Sequence, residues 1–299
     1  MLSFHPITLR DKAWIDRITA AENSRSADFN FGNMYVWDKT YRQYVTQYGE
    51  RVLTMLLYEE HPLFAYPVGS GELRPAIEAL AEYAEKGGYP LRICGITEEQ
   101  KTLLERACPG QFDYTEDTDG ADYIYPAEHL ASYSGKALHG KKNHCNRFEA
   151  EHDWHFEELT AGLIPDCEEL LSAWLRENGE RLDESIVYER DAIECTFRHY
   201  GELDMEGGVL YADGAAVGFS VGEMANSDTF DVHFEKAVVS INGAYPMVCR
   251  ELTRMLMRKH PGLVYINREE DMGLPALRES KLSYKPEYLL KKYAALRRE

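Results

Sequence analysis

The chain has 299 residues, 44% of them hydrophobic, with 51 acidic against 33 basic side chains and a formal charge of −18. That length predicts about two domains with real cores, which excludes a disordered chain or a collagen-like fibre. The charge repels duplex DNA and anionic membrane unless a local basic patch intervenes. The most apolar run, Gly207 to Gly222, is interrupted by Asp213 and falls short of the ~18 residues a membrane helix needs, so no membrane span is expected. Met1 to Pro6 lacks the cationic head and apolar core of a signal peptide, and the expected location is the cytoplasm.

In chain order, a helix from about Arg10 to Glu22 comes first, capped through Thr8 and Asp11. A second follows near Phe29 to Trp37. Strands Tyr41 to Tyr48 and Arg51 to Tyr58 flank a Gly49-Glu50 turn, and Leu63 to Pro67 is a third. Gly69-Ser70-Gly71 opens a helix whose Leu73, Ile77, Leu80, Ala81 and Ala84 share one face and which stops at Gly87-Gly88. Strand Leu91 to Cys94, helix Thr97 to Ala107 and a strand pair around Phe112 and Tyr123 to Tyr125 complete the first half.

The second half starts with a strand around Trp154 to Leu159. A helix follows with Cys167, Leu170, Leu171, Trp174 and Leu175 on one face, then another from about Glu184 to Tyr200. Strands Gly208 to Ala212, Ala216 to Glu223 and Thr229 to Glu235 come next, the first two joined by an Asp213-Gly214 hairpin turn. A helix with Tyr245, Val248, Leu252, Met255 and Leu256 stops at Pro261-Gly262. Leu263 to Ile266 reads as a buried strand, Leu274 to Leu282 as a short helix, and Tyr288 to Leu296 as a last apolar segment, strand or helix. The expected boundaries are a first domain at 1–133, a basic connecting helix at 134–150 and a second domain at 151–299.

Helix, helix, three strands, helix, strand, helix, strand thus occurs twice. That order resembles the fold of the GCN5-related N-acetyltransferases (GNAT), an α/β fold in which a mixed twisted sheet carries helices on both faces, here duplicated in tandem. In such a fold the phosphates of an acyl donor rest on the N–H groups that open the central helix, where orphan donors and the helix dipole favour an anion. The matching places are Pro67-Val68-Gly69-Ser70-Gly71, with Gly69 and Gly71 as phosphate-binding residues, and Ser240-Ile241-Asn242-Gly243-Ala244. Neither spells the arginine/glutamine-x-x-glycine-x-glycine pattern of acetyl-coenzyme A users, and both also read as plain loops entering helices.

The densest polar constellation pairs His233-Phe234-Glu235-Lys236, at the end of a strand, with Asn267-Arg268-Glu269-Glu270-Asp271 after the next one. Parallel neighbours would place both at the carboxyl edge of the sheet, the usual crevice of an open α/β fold. Glu235 or Asp271 is expected to take a proton from an attacking amine, because a nearby cation holds one acid ionised while desolvation raises another. Lys236, Arg278 and Lys281 are expected to hold a phosphate or a developing oxyanion. The same letters also describe solvated surface pairs.

Gly135 to Phe148 holds Lys136, Lys141, Lys142 and Arg147, with His139 and His144 and no acid. In so acidic a chain this run suits phosphates of a nucleotide, a tRNA acceptor end or a lipid headgroup, or else is a solvated helix face. The two histidines, five apart, fit a metal pair poorly. The cysteines at 94, 108, 145, 167, 195 and 249 are too scattered for a zinc knuckle or redox pair and read as reduced, small apolar side chains. No metal is expected. Tyr35, Trp37, Tyr41 and Tyr44 read as core aromatics or a base-stacking surface.

Asn30 to Trp37, the basic run 135–148, His233 to Ala237 with Gly243-Ala244-Tyr245, and Asn267 to Asp271 through Gly273-Leu274, Leu277-Arg278 and Lys281-Leu282-Ser283-Tyr284 resemble the bacterial family of uncharacterised proteins related to the C-terminal domain of phosphatidylglycerol lysyltransferase. The resemblance implies two tandem acetyltransferase-like domains close to the Fem peptidyltransferases. It also implies transfer of an aminoacyl group from aminoacyl-tRNA, or of an acyl group from acyl-CoA, to an amine or hydroxyl of a small-molecule or peptide acceptor. Glu235, Lys236 and Asp271 would then be catalytic. His233, Asn242, Gly243, Tyr245, Asn267, Glu269, Arg278, Lys281 and Tyr284 would bind substrate. The chain departs from the lysyltransferase in lacking its membrane portion. The alternatives are an acetyl-CoA-dependent N-acetyltransferase and a catalytically silent protein that binds a ligand or a tRNA end.

Overall fold

The computed structural model describes residues 2–57, 61–177 and 184–298. Its strands are β1 (His5–Pro6), β2 (Gln43–Tyr48), β3 (Arg51–Leu56), β4 (Leu63–Ala65), β5 (Val68–Gly69), β6 (Arg92–Thr97), β7 (Phe112–Pro126), β8 (Trp154–Glu158), β9 (Glu206–Ala212), β10 (Ala215–Met224), β11 (Thr229–Ala237), β12 (Tyr265–Asn267) and β13 (Tyr288–Arg297). Its helices are α1 (Lys12–Glu22), α2 (Phe31–Val36), α3 (Asp38–Tyr41), α4 (Leu73–Gly87), α5 (Glu98–Ala107), α6 (Ala127–Ser132), α7 (His139–Glu151), α8 (Ile164–Glu177), α9 (Glu184–Arg198), α10 (Tyr200–Leu203), α11 (Ala244–Lys259) and α12 (Pro275–Ser283). Tyr58, the expected end of the second strand, lies outside the described residues.

Two units divide the chain: residues 1–122 with 270–273 and 290–299, and residues 123–269 with 274–289. The basic helix α7 lies wholly in the second unit, and most of β13 belongs to the first. In the first unit the strands run in the order β1-β2-β3-β4-β6-β13, with β5 on β3. β4 and β6 are parallel through Phe64↔Ile93 and Ala65↔Cys94, and β13 closes antiparallel on β6 with Tyr293 opposite Ile96. In the second unit the order is β7-β12-β11-β10-β9-β8. There β11 and β12 are parallel, and the 124–126 end of β7 closes antiparallel on β12. The second repeat of the element order thus gives most of its last strand to the first unit, and the first repeat gives only the 123–126 end of β7 to the second. The segment 288–297, undecided between strand and helix from its letters, is a strand because β6 supplies its ladder.

The central helix of each unit forms for the reason its spacing predicts. α4 buries Leu73, Ala76, Ile77, Leu80 and Ala84 and ends on Gly88 in the left-handed region at φ 74°, where a missing Cβ removes the penalty. α11 buries Met247, Val248, Leu252, Met255 and Leu256. Each helix packs on its own sheet in a core of aromatics and aliphatics, around Phe64, Ile93 and Leu104 in the first unit and around Tyr125, Phe148 and Phe230 in the second. Asp213 and Gly214 both take positive φ, 53° and 82°, which gives the β9–β10 hairpin the twist its strands require. The strand expected from Tyr41 starts at Gln43 instead. The Asp38 carboxylate accepts the Gln43 N–H at 2.7 Å and holds a short helical turn, α3, ahead of it. The expected strand pair around Phe112 and Tyr123 is one extended element, β7. The cysteines form no disulfide. No helix among the described residues is long and apolar enough to cross a membrane.

Candidate active site

In the second unit β12 pairs with β11 from Thr229↔Tyr265 to Asp231↔Asn267. Past that last rung β11 continues to Ala237 while the chain leaves β12 as Arg268 and Glu269. Arg268 and Glu269 therefore meet Glu235 and His233 where the parallel strands part, near Lys141 of α7 and Lys281 of α12.

Glu235 is the centre of this site. Its side chain is 8% exposed, and Oε1 accepts a hydrogen bond from Arg268 Nη2 at 2.8 Å. Burial raises its carboxyl above the usual range, opposed by Arg268, then Lys141, Lys281 and Lys236. Arg268 lies over the rings of Tyr284 and Tyr125, at 4.5 and 5.8 Å from their centroids, and its Nη1 finds no acceptor among the described residues. Lys141, on α7, places Nζ 3.7 Å from the centroid of the same Tyr284 ring. Burial and then Arg268 push this ammonium down, and no carboxylate among the described residues is paired with it. Lys281, from α12, donates to the Arg268 carbonyl at 2.5 Å. One buried acid thus stands among cations.

Lys236 is turned elsewhere. Successive strand residues face opposite sides of a sheet, so the neighbour of Glu235 points to Glu189, whose two oxygens lie 2.7 and 2.8 Å from Nζ, and lies 4.2 Å from the Trp174 ring centroid. Asp271 belongs to the first unit, where its carboxylate accepts the Gly273 N–H at 2.9 Å and braces a turn. Of the three residues expected to converge, Glu235 has Arg268, Lys141 and Lys281 about it, Lys236 pairs with Glu189, and Asp271 braces its turn. Arg268 carries no expected role from its letters, yet it is the cation on Glu235. Its place, one residue past a strand ending in Asn267, is the signal that marks it.

Two residues back along β11, the side chain of His233 is fully buried. Its Nε2 is 3.0 Å from Glu223 Oε1, and its Nδ1 is 2.9 Å from Glu269 Oε1 and 3.6 Å from Asp231 Oδ2. Burial disfavours its charge, but Asp231, Glu223 and Glu269 outweigh that and hold the ring protonated well above the usual histidine range. Asp231, His233 and Glu269 bring ligand atoms within 4.8 Å of one another, a spacing that a cation can bridge. With a carboxylate at each ring nitrogen, the imidazolium itself supplies that positive charge. Asn267 Oδ1 accepts the Glu269 N–H at 2.7 Å and fixes the acid at φ 55°.

The remaining expected residues make other contacts. Tyr245 accepts a hydrogen bond from Trp174 Nε1 at 3.1 Å, Arg278 is half-buried on α12, and Lys136, Lys142 and Arg147 are exposed, the last paired with Glu151 at 2.7 Å. Asn242 Oδ1 accepts from His144 Nδ1 at 2.8 Å.

The phosphates of an acyl-CoA would need the two glycine loops, and the residues present do not fit them. A Cβ on Gly243 would stand 2.5 Å from the His144 carbonyl oxygen and 3.1 Å from Phe148 Cβ, so this glycine admits the backbone of α7 to the start of α11. A Cβ on Gly69 would stand 2.1 Å from the Glu50 carbonyl oxygen, and the Gly69 N–H already donates to Glu22 Oε2 at 2.6 Å.

The family model for phosphatidylglycerol lysyltransferase, C-terminal, matches residues 20–296. A conserved protein of unknown function from Bacteroides thetaiotaomicron is similar at 33% identity over 100% of both chains, with a TM-score of 0.94. L-PGS from Bacillus licheniformis is similar in fold, with a TM-score of 0.69 at 15% identity over 99% of this chain and 94% of that one. So is a tandem GNAT protein from the clavulanic acid biosynthesis pathway, with a TM-score of 0.51 at 13% identity over 99% and 98%. An uncharacterised protein of Mycoplasmoides gallisepticum is 25% identical over 178 residues, 58% of this chain, and the match spans about half of that protein, 54%. With a transferase-type tandem GNAT fold and a family match that runs nearly from end to end, the chain belongs to the phosphatidylglycerol lysyltransferase C-terminal family.

Proposed function

We propose that the second unit transfers an aminoacyl or acyl group from an activated ester, an aminoacyl-tRNA end, to an amine or hydroxyl acceptor. The observation that carries this reading is the buried Glu235, raised by desolvation and held by Arg268, with the charges of Lys141 and Lys281 acting on it. A carboxylate with a raised proton affinity is suited to general-base work near neutral pH. The acceptor's lone pair attacks the ester carbonyl, Glu235 takes the proton that the acceptor loses, and the carbon–oxygen bond to the donor ribose breaks as the proton passes to the leaving oxygen. Lys141, with no acid paired to it among the described residues, stabilises the negative charge that develops on the carbonyl oxygen. The exposed Lys136 and Lys142 lie on the outer side of the same basic stretch and meet the phosphates of the donor strand. The filled glycine loops favour an ester donor over a coenzyme A thioester.

The test uses aminoacyl-tRNA labelled in its amino acid, with water as the default acceptor and a panel of amines as alternatives. Protein-dependent loss of label from the tRNA that falls at least 100-fold in Glu235→Gln, while donor binding stays within a few-fold, supports the reading. Release unaffected by that substitution sinks it.

A further inference from the structure

The loop 67–71 of the first unit has the composition of an anion cradle, and the structure shows what occupies it. Glu22, the last residue of α1, reaches the loop with Oε2 accepting the Gly69 N–H at 2.6 Å, while Oε1 accepts a hydrogen bond from Gln100 Nε2. Arg51, itself buried, takes the loop's carbonyls: Nε donates to the Gly71 oxygen at 2.8 Å and Nη1 to the Pro67 oxygen at 2.5 Å. A cradle for an external phosphate needs several N–H groups turned outward together. Here one N–H is spent on a carboxylate of the chain and two carbonyls are drawn inward to a guanidinium of the chain. Gly69, at φ 130°, lacks a Cβ because the Glu50 carbonyl oxygen would be 2.1 Å from it. Its glycine serves close approach by the protein's own backbone.

We infer that Glu22 is a built-in anion that fills the cradle of the first unit, so that this half of the molecule takes no phosphate-bearing donor and Glu22 is its internal ligand. The inference concerns the first unit alone and stands apart from the reaction proposed for the second. Emptying the position leaves a hole lined by the Gly69 N–H, the Gln100 amide and the nearby Arg51, which suits a small carboxylate in particular. Formate or acetate supplies the missing oxygens without the missing chain.

The experiment is thermal unfolding of the full chain and of Glu22→Ala at matched ionic strength in chloride, formate, acetate and inorganic phosphate. Glu22→Ala is expected to lower Tm by about 3 °C or more, with formate or acetate restoring at least half of the loss beyond the shift that the same salt gives the native chain, and chloride and phosphate restoring none. An unchanged Tm in Glu22→Ala overturns the inference, as does a loss that formate and acetate repair no better than chloride. Should Glu22→Ala not fold, the native chain labelled with 15N-glycine decides the matter through the Gly69 amide resonance. It should titrate with a carboxyl group and stay fixed on addition of millimolar coenzyme A or pyrophosphate. A Gly69 signal that moves with either ligand, or that ignores carboxyl titration, overturns the inference.

Discussion

Arg268 Nη2 and Glu235 Oε1 meet at 2.8 Å with their side chains 12% and 8% exposed, and the second terminal nitrogen of the same guanidinium is left without an acceptor among the described residues. The pair is thus asymmetric: the acid has its cation, while the cation retains a donor to offer. That is an arrangement suited to a site that must hold a base in place and still receive a polar ligand.

Removing one partner of a buried pair strands the other. Arg268→Met is expected to destabilise the protein by about 3–5 kcal/mol, because Glu235 then keeps its burial without its nearest cation. Glu235→Gln, which leaves an acceptor oxygen for Arg268, is expected to cost less. Urea unfolding of the two variants checks the order. A loss under about 1 kcal/mol for Arg268→Met would mean that solvent screens the pair.

His233 sets a pH dependence with a definite sign. Its folded proton affinity is raised by Asp231, Glu223 and Glu269 against the cost of burial, so the folded state binds a proton that the unfolded state releases. The stabilisation is fully present below the ordinary histidine range near ~6.5 and is lost as pH climbs through the raised folded value. Unfolding free energy should therefore fall as pH rises above neutrality. His233→Gln should flatten that slope while lowering stability at pH 6. A slope equal in both proteins would show that the ring is not the titrating group.

The order of elements was legible because both central helices carry unbroken 3.6-residue stripes and both halves end on apolar strands. Where those strands go was not legible: β13 pairs with β6 and the end of β7 with β12, a choice among equivalent edges that local pattern does not encode. At the site, Glu235 and Lys281 could be named from their letters. Adjacent lettering does not show that alternation on β11 turns Lys236 to Glu189. Nor does glycine spelling tell which partner a loop N–H meets, and that of Gly69 donates to Glu22. Arg268 and Lys141 approach the same Tyr284 ring and both act on Glu235, contacts between residues far apart in sequence.

The exchanged strands predict how the chain fails when cut. A fragment of residues 1–133 keeps β6 but loses β13, and with it Lys292, whose ammonium lies 2.8 Å from the fully buried Asp122 and 3.0 Å from Asp28. It is left with an open edge and a buried carboxylate whose cation is gone. Alone it should aggregate or stay unfolded, whereas co-expression with 134–299 should return soluble, co-purifying halves. A folded, monomeric 1–133 with a cooperative melt would contradict the dependence of β6 on β13.

Gly243 tests the packing of α7 on α11 by a single atom. The residue sits at φ 91°, and a Cβ there would lie 2.5 Å from the His144 carbonyl oxygen. Gly243→Ala therefore combines backbone strain with an overlap that only a shift of α7 relieves, and it is expected to cost about 2–4 kcal/mol. The clash is with main chain, so deleting the side chain at His144 should give no rescue. The His144→Ala and Gly243→Ala losses should not cancel in the double variant, although His144→Ala also removes the 2.8 Å hydrogen bond to Asn242. Urea unfolding supplies these energies, and amide hydrogen exchange along residues 139–151 should show α7 losing protection first. Stability recovered in the double variant would place the obstruction in the imidazole rather than in the backbone of the helix.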